Sequence, residues 1–173
     1  MLGGLLLVSV APVLGQEPKS PPRQTTATFG DWILRCVSLP GEASMRSCEI
    51  YQQVQAVNGG QASVLMTFAI GAPGAGEPLQ ITAAIPVNVG FSGKVMLSGD
   101  AIPPTELRFV RCGMGACFAA SPFSEALWRT LSSKAGSAAR VEYTNAAEAP
   151  VVVPISMKGI GDALEALSTN LKK

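Results

Sequence analysis

The stretch that most restricts how this chain can fold is Leu107-Arg-Phe-Val-Arg-Cys112-Gly-Met-Gly-Ala-Cys117, with its continuation to Leu131. Leu107, Phe109 and Arg111 alternate with Arg108, Val110 and Cys112, a period-two pattern that suits a strand. The two cysteines enclose Gly113 and Gly115, which can take positive φ and reverse the chain sharply. Ser121-Pro122 then offers an N-cap and a first helical residue. Phe123, Leu127 and Leu131 recur every four residues as the buried stripe of a short helix. Strand, stapled turn and amphipathic helix form one compact unit around which the rest must pack, and nothing in it has the make-up of a reaction centre.

The four cysteines, Cys36, Cys48, Cys112 and Cys117, are an even number and read as two disulfides of an oxidising compartment, with three connectivities open. Local pairing, 36 with 48 and 112 with 117, is the simplest, because each bond closes a short loop between segments that read as strands. A zinc site usually takes tighter Cys-x2-Cys pairs, and a redox-active pair usually takes Cys-x-x-Cys. Export is also what the N-terminus suggests. Residues 1–15 carry an apolar run too short for a typical transmembrane helix, resembling the core of a secretory signal, with Val13 and Gly15 small enough for its cleavage site. No other stretch is long enough to cross a membrane as a helix.

Histidine is absent, which removes Ser-His-Asp and Cys-His catalysis and the commonest metal ligand. The carboxylates are scattered singly (Asp31, Glu49, Asp100, Glu106, Glu142), so the inventory reads as non-enzymatic, without metal or cofactor. A net charge of +1 gives no footprint for nucleic acid. Eighteen glycines and thirteen prolines imply many turns, as in an all-β chain.

Residues 16–27 are polar and proline-rich and read as a flexible or extended lead-in; the domain is expected over 28–173. Trp32, Leu34 and Cys36 share one strand face, and Trp32 at strand spacing beside a cysteine reads as core. Residues 37–47 read as a loop, Cys48 to Val54 as the returning strand, Asn58-Gly59-Gly60 as a tight turn, and residues 62–70 as a buried strand. Gly71 to Pro78 is a loop without the Gly-Lys-Ser/Thr of a phosphate cradle. Pro86 interrupts the next run, predicting an edge strand, a bulge or a kink. A hairpin is expected around Ser92-Gly93, a turn over 98–104, strands over 140–144 and 151–157, and a terminal helix with Ile160, Leu164, Leu167 and Leu171 on one stripe. Eight or nine short strands and two small helices favour a β-sandwich.

Four stretches in order carry a resemblance: Phe29-Gly-Asp-Trp-Ile-Leu-Arg-Cys36, Cys48-Glu-Ile-Tyr-Gln-Gln53, Leu107 to Cys117, and Ile155-Ser-Met-Lys-Gly-Ile-Gly-Asp-Ala-Leu164. Together they resemble the invasion-associated locus B family of Gram-negative bacteria, over about residues 28–167. The resemblance implies an immunoglobulin-like β-sandwich, disulfides Cys36–Cys48 and Cys112–Cys117, and a protein that is periplasmic, outer-envelope associated or secreted. Founding members of that family are linked to host-cell entry, and no catalytic residue carries over. Three functions compete on this basis. The first is a binding module for an envelope or host-surface protein or glycan, with the 71–78 loop and the 98–104 turn as candidate contacts. The second is an assembly subunit that oligomerises through an edge near Pro86. The third is a protein redox-active at Cys112 and Cys117.

Overall fold

The computed structural model describes residues 22–38, 46–74, 76–133 and 138–171. Residues 1–15, read above as the signal, lie outside them, as do residues 16–21 of the lead-in. The described residues form ten strands and two helices: β1 (Arg23–Phe29), β2 (Trp32–Ser38), β3 (Arg46–Asn58), β4 (Gln61–Gly71), β5 (Gln80–Pro86), β6 (Val95–Gly99), β7 (Thr105–Gly113), β8 (Ala116–Pro122), α1 (Glu125–Ser133), β9 (Ala139–Thr144), β10 (Pro150–Ile155) and α2 (Ile160–Leu171). All the named strand pairs are antiparallel, in the order β1-β2-β3-β4-β5-β8-β7-β6-β9-β10. This is the all-β class with one short internal helix and a C-terminal helix.

The core follows from alternation. Trp32, Leu34 and Cys36 on β2 are buried together with Ile50 on β3, Met66, Phe68 and Ile70 on β4, and Ile81, Ala83 and Ile85 on β5, while the residues between them face outward. Trp32 is fully buried and meets Phe68 edge-on at 6.0 Å, as its core reading expects. Leu127 and Leu131 of α1 and Ile160, Ala163, Leu164 and Leu167 of α2 complete the core.

β3 and β10 lie far apart along the ladder, yet the sheet bends until they meet. Ser156, just past β10, is the clasp. Its carbonyl accepts from Trp32 Nε1 and from Gln52 Nε2, each at 2.9 Å, and its N–H donates to Gln52 Oε1 at 3.1 Å. Its hydroxyl donates to Asp31 at 2.6 Å. Gln52, buried at 5% exposure, thus satisfies both halves of its amide on one residue. Beside it the Asp31 N–H donates to the Lys158 carbonyl at 3.1 Å. Gly30 and Gly159, both at positive φ, let these two chain segments touch: a Cβ on Gly159 would lie 2.2 Å from the Phe29 carbonyl oxygen.

Several expectations are corrected. Residues 23–27 of the flexible or extended lead-in join Thr28 and Phe29 in a strand paired with β2 along its whole length, because backbone pairing needs no apolar side chains. Pro86 ends β5 and does not mark an edge: β5 lies between β4 and β8, and Pro86 pairs with Ala116. Val87 to Phe91 forms no hairpin with β6; only Val89 bridges, to Asn145, and β6 pairs with β7 and β9. Ser121 and Pro122 finish β8, and Ser124 caps α1, its hydroxyl accepting from the Leu127 N–H at 3.2 Å. Leu171 is 39% exposed and does not share the burial of Ile160, Leu164 and Leu167.

Candidate functional site

The outward face of the large layer is not flat. Along β4 and β5 it carries small side chains, Thr67 and Ala69 beside Thr82 and Ala84, with Ala120 next to them on β8. Larger side chains rise on either side, and the depression between them is a groove of about 490 Å³.

Each wall is built the same way. On one, the Arg35 guanidinium of β2 lies 5.0 Å above the Tyr51 ring of β3. On the other, the Arg111 guanidinium of β7 lies 4.8 Å above the Phe118 ring of β8. An arginine on an aromatic face holds its charge in place and keeps its N–H edge for an acceptor. In both walls the arginine directly precedes a cysteine, and that cysteine is bonded straight across to the neighbouring strand. Arg35 pairs in register with Glu49, and Cys36 with Cys48. Arg111 pairs with Phe118, and Cys112 with Cys117. The Cα atoms of the two disulfides are 4.1 and 4.0 Å apart, near the closer spacing of an antiparallel ladder. Each disulfide therefore locks the strand pair that carries one wall.

The walls differ in charge. Arg35 donates from Nε to Glu49 Oε1 at 2.9 Å and forms an ion pair with it. Arg111 forms no salt bridge among the described residues. At one end of the groove, a Cβ on Gly71 would lie 2.5 Å from the Glu49 Cβ, so only glycine leaves that carboxylate where Arg35 meets it. Ser47 donates to the Ala72 carbonyl at 3.2 Å and fixes this end of the 71–78 loop.

Of the two expected contact loops, the first therefore lies at the groove through Gly71, Ala72 and Pro73. The 98–104 turn does not: Ile102 is buried as an anchor, and the Asp100 N–H donates to the Ala138 carbonyl at 3.2 Å. Arg111 was also misplaced by simple alternation, which groups it with inward-facing Leu107. A β-bulge between Phe109 and Arg111 makes Val110 the extra residue and turns Arg111 to the groove face with Arg108. The repeated Arg-Cys dipeptide was the sequence signal that could have marked both walls.

What the groove offers is binding chemistry: two guanidiniums, the Glu49 carboxylate, the hydroxyls of Tyr51, Thr67 and Thr82, and the Gln80 amide. Among the described residues, the two groups with displaced pKa values lie elsewhere. Glu106 is held below the usual carboxylate range by its hydrogen bond to Lys94 and by that cation's charge, and Tyr143 is pushed up by burial. Among the described residues, no three histidine, cysteine or acidic side chains cluster to hold a metal, and no helix is long and apolar enough to cross a membrane.

The model of the family described as invasion-associated locus B protein matches residues 32–168. The chain belongs to that family. A crystal structure of invasion-associated protein b from Bartonella henselae superposes with a TM-score of 0.66 at 21% sequence identity, covering 86% of this chain and 97% of that one. It shares the fold. No curated protein matches the chain. Three of the four family-like stretches supply the groove walls (Arg35; Glu49 and Tyr51; Val110 and Arg111), and the first and fourth meet at the Gly30–Gly159 contact.

Proposed function

We propose that the protein is an exported, non-enzymatic binding module of the cell envelope, and that it holds a partner in the groove between the two arginine–aromatic walls. The observation that carries this reading is the placement of the disulfides. Each lies one residue from a groove arginine, so cross-linking is concentrated where the groove's shape depends on it. Disulfides of this kind persist outside the cytoplasm, in keeping with cleavage of a signal over residues 1–15. Family membership supports a link to host-cell invasion, which makes a surface-exposed partner the narrower form of the reading.

The test is site-specific photo-cross-linking in intact cells. A photoreactive residue replacing Thr82 on the groove floor is compared with one replacing Val57, which is 70% exposed and about 20 Å further along β3 than Tyr51. The expected result is a discrete adduct from position 82 and none from position 57. Equal adducts from both positions, or an adduct from 57 alone, would contradict the groove as the contact surface. Protease shaving of the same cells then tells whether the groove strands face the medium or the periplasm.

A further inference from the structure

We infer that the groove's occupant is an extended, acidic peptide segment of a partner protein, with one carboxylate seated on Arg111. This rests on the groove reading above and adds the chemistry of what fills it.

Charge complementarity comes first. Arg35 is already matched by Glu49, whereas Arg111 has no acidic partner among the described residues. Among the described residues the groove therefore holds one uncompensated positive charge, stacked on Phe118 with its N–H edge available for a planar, two-oxygen acceptor. A carboxylate is the simplest such acceptor.

Shape narrows the choice. The walls stand on β3 and β8, with β4 and β5 between them, so their backbones are about 14 Å apart at ordinary strand spacing. After the wall side chains take their share, an extended chain fits between them, but a helix about 10 Å across does not. Ala69, Ala84 and Ala120 let a backbone lie close, while Thr67, Thr82 and Gln80 can hydrogen-bond its peptide groups. Both aromatic rings already carry a guanidinium on one face. One face of each is therefore closed to a sugar ring, and that favours a peptide over an acidic glycan.

The test uses oxidised full domain and a fluorescently labelled octapeptide of alternating Glu and Val, read by anisotropy at low salt. Matched Gln–Val and Lys–Val peptides are the controls, and unlabelled polygalacturonate is the competing anionic glycan. The Glu–Val peptide should bind about tenfold tighter than Gln–Val, as expected for a charge-assisted hydrogen bond. Arg111→Gln should remove that preference and Arg111→Lys should restore part of it. Glu49→Gln, which releases Arg35 from its carboxylate, should tighten binding of the acidic peptide, an effect no merely structural role would produce. Equal binding of Glu–Val and Gln–Val, no binding of either, or stronger binding of polygalacturonate would overturn the acidic-peptide inference. The groove-filling variant Ala84→Trp separates the two levels. If Gln–Val binds as well as Glu–Val and both are lost in Ala84→Trp, the occupant is wrong and the groove stands. If Glu–Val binding survives Ala84→Trp, the groove reading itself fails.

Discussion

At the scale of single residues, the burial of two polar side chains has measurable consequences. Gln52 is a buried polar group that serves both the N–H and the C=O of Ser156. Gln52→Leu keeps the volume but leaves the Ser156 N–H without that acceptor, and should lower stability by about 1–3 kcal/mol in denaturant titration. Tyr143, with 8% of its surface exposed, is the second. Burial raises its pKa in the folded state, so folding favours the protonated phenol. The stability this gives is complete below the unfolded value of about 10 and is lost as pH rises through the folded value. Alkaline unfolding should therefore begin near pH 10, and Tyr143→Phe should flatten the pH dependence in that range. Neither role was legible beforehand. Gln52 falls in an ordinary alternating strand, and its partner is 104 residues away. Trp32 was legible as core, because an aromatic at strand spacing beside a cysteine has few other uses.

At the scale of elements, the disulfide-linked strand pairs are what hold the groove walls upright. In the chain-entropy picture, loss of Cys36–Cys48 should cost about 3 kcal/mol and loss of Cys112–Cys117, with its shorter loop, about 2 kcal/mol. Double alanine variants at each pair, measured by thermal unfolding, check both values. The local pairing was readable from spacing and resemblance, since each pair closes a loop between two alternating runs. The direction of Arg111 was not, because a bulge adds one residue and alternation alone cannot say where that residue falls. The small floor of the groove was hidden for a related reason. Thr67, Ala69, Thr82 and Ala84 are ordinary strand residues taken singly and form a depression only when β4 and β5 lie side by side.

At the scale of the whole molecule, the fold is a single bent ladder whose ends are clasped by Ser156 and by the contact of Gly30 with Gly159. Gly159→Ala puts a Cβ into the Phe29 carbonyl at positive φ and should cost several kcal/mol, seen as a large fall in the melting temperature. The all-β class with two small helices was legible from turn density and short alternating runs. The closure was not, because it joins residues more than 100 positions apart in the chain, a pairing that no local pattern carries. That bent ladder leaves the groove on its outer face, where we propose that a partner binds. The most direct measurement is hydroxyl-radical footprinting of the oxidised protein, free and mixed with an envelope fraction of the cells that make it. Tyr51, Phe118 and Val110 should become protected while Phe91 and Met114, exposed by 63% and 108%, are oxidised as before. Unchanged oxidation of Tyr51 and Phe118, with protection at Phe91 or Met114 instead, would contradict it.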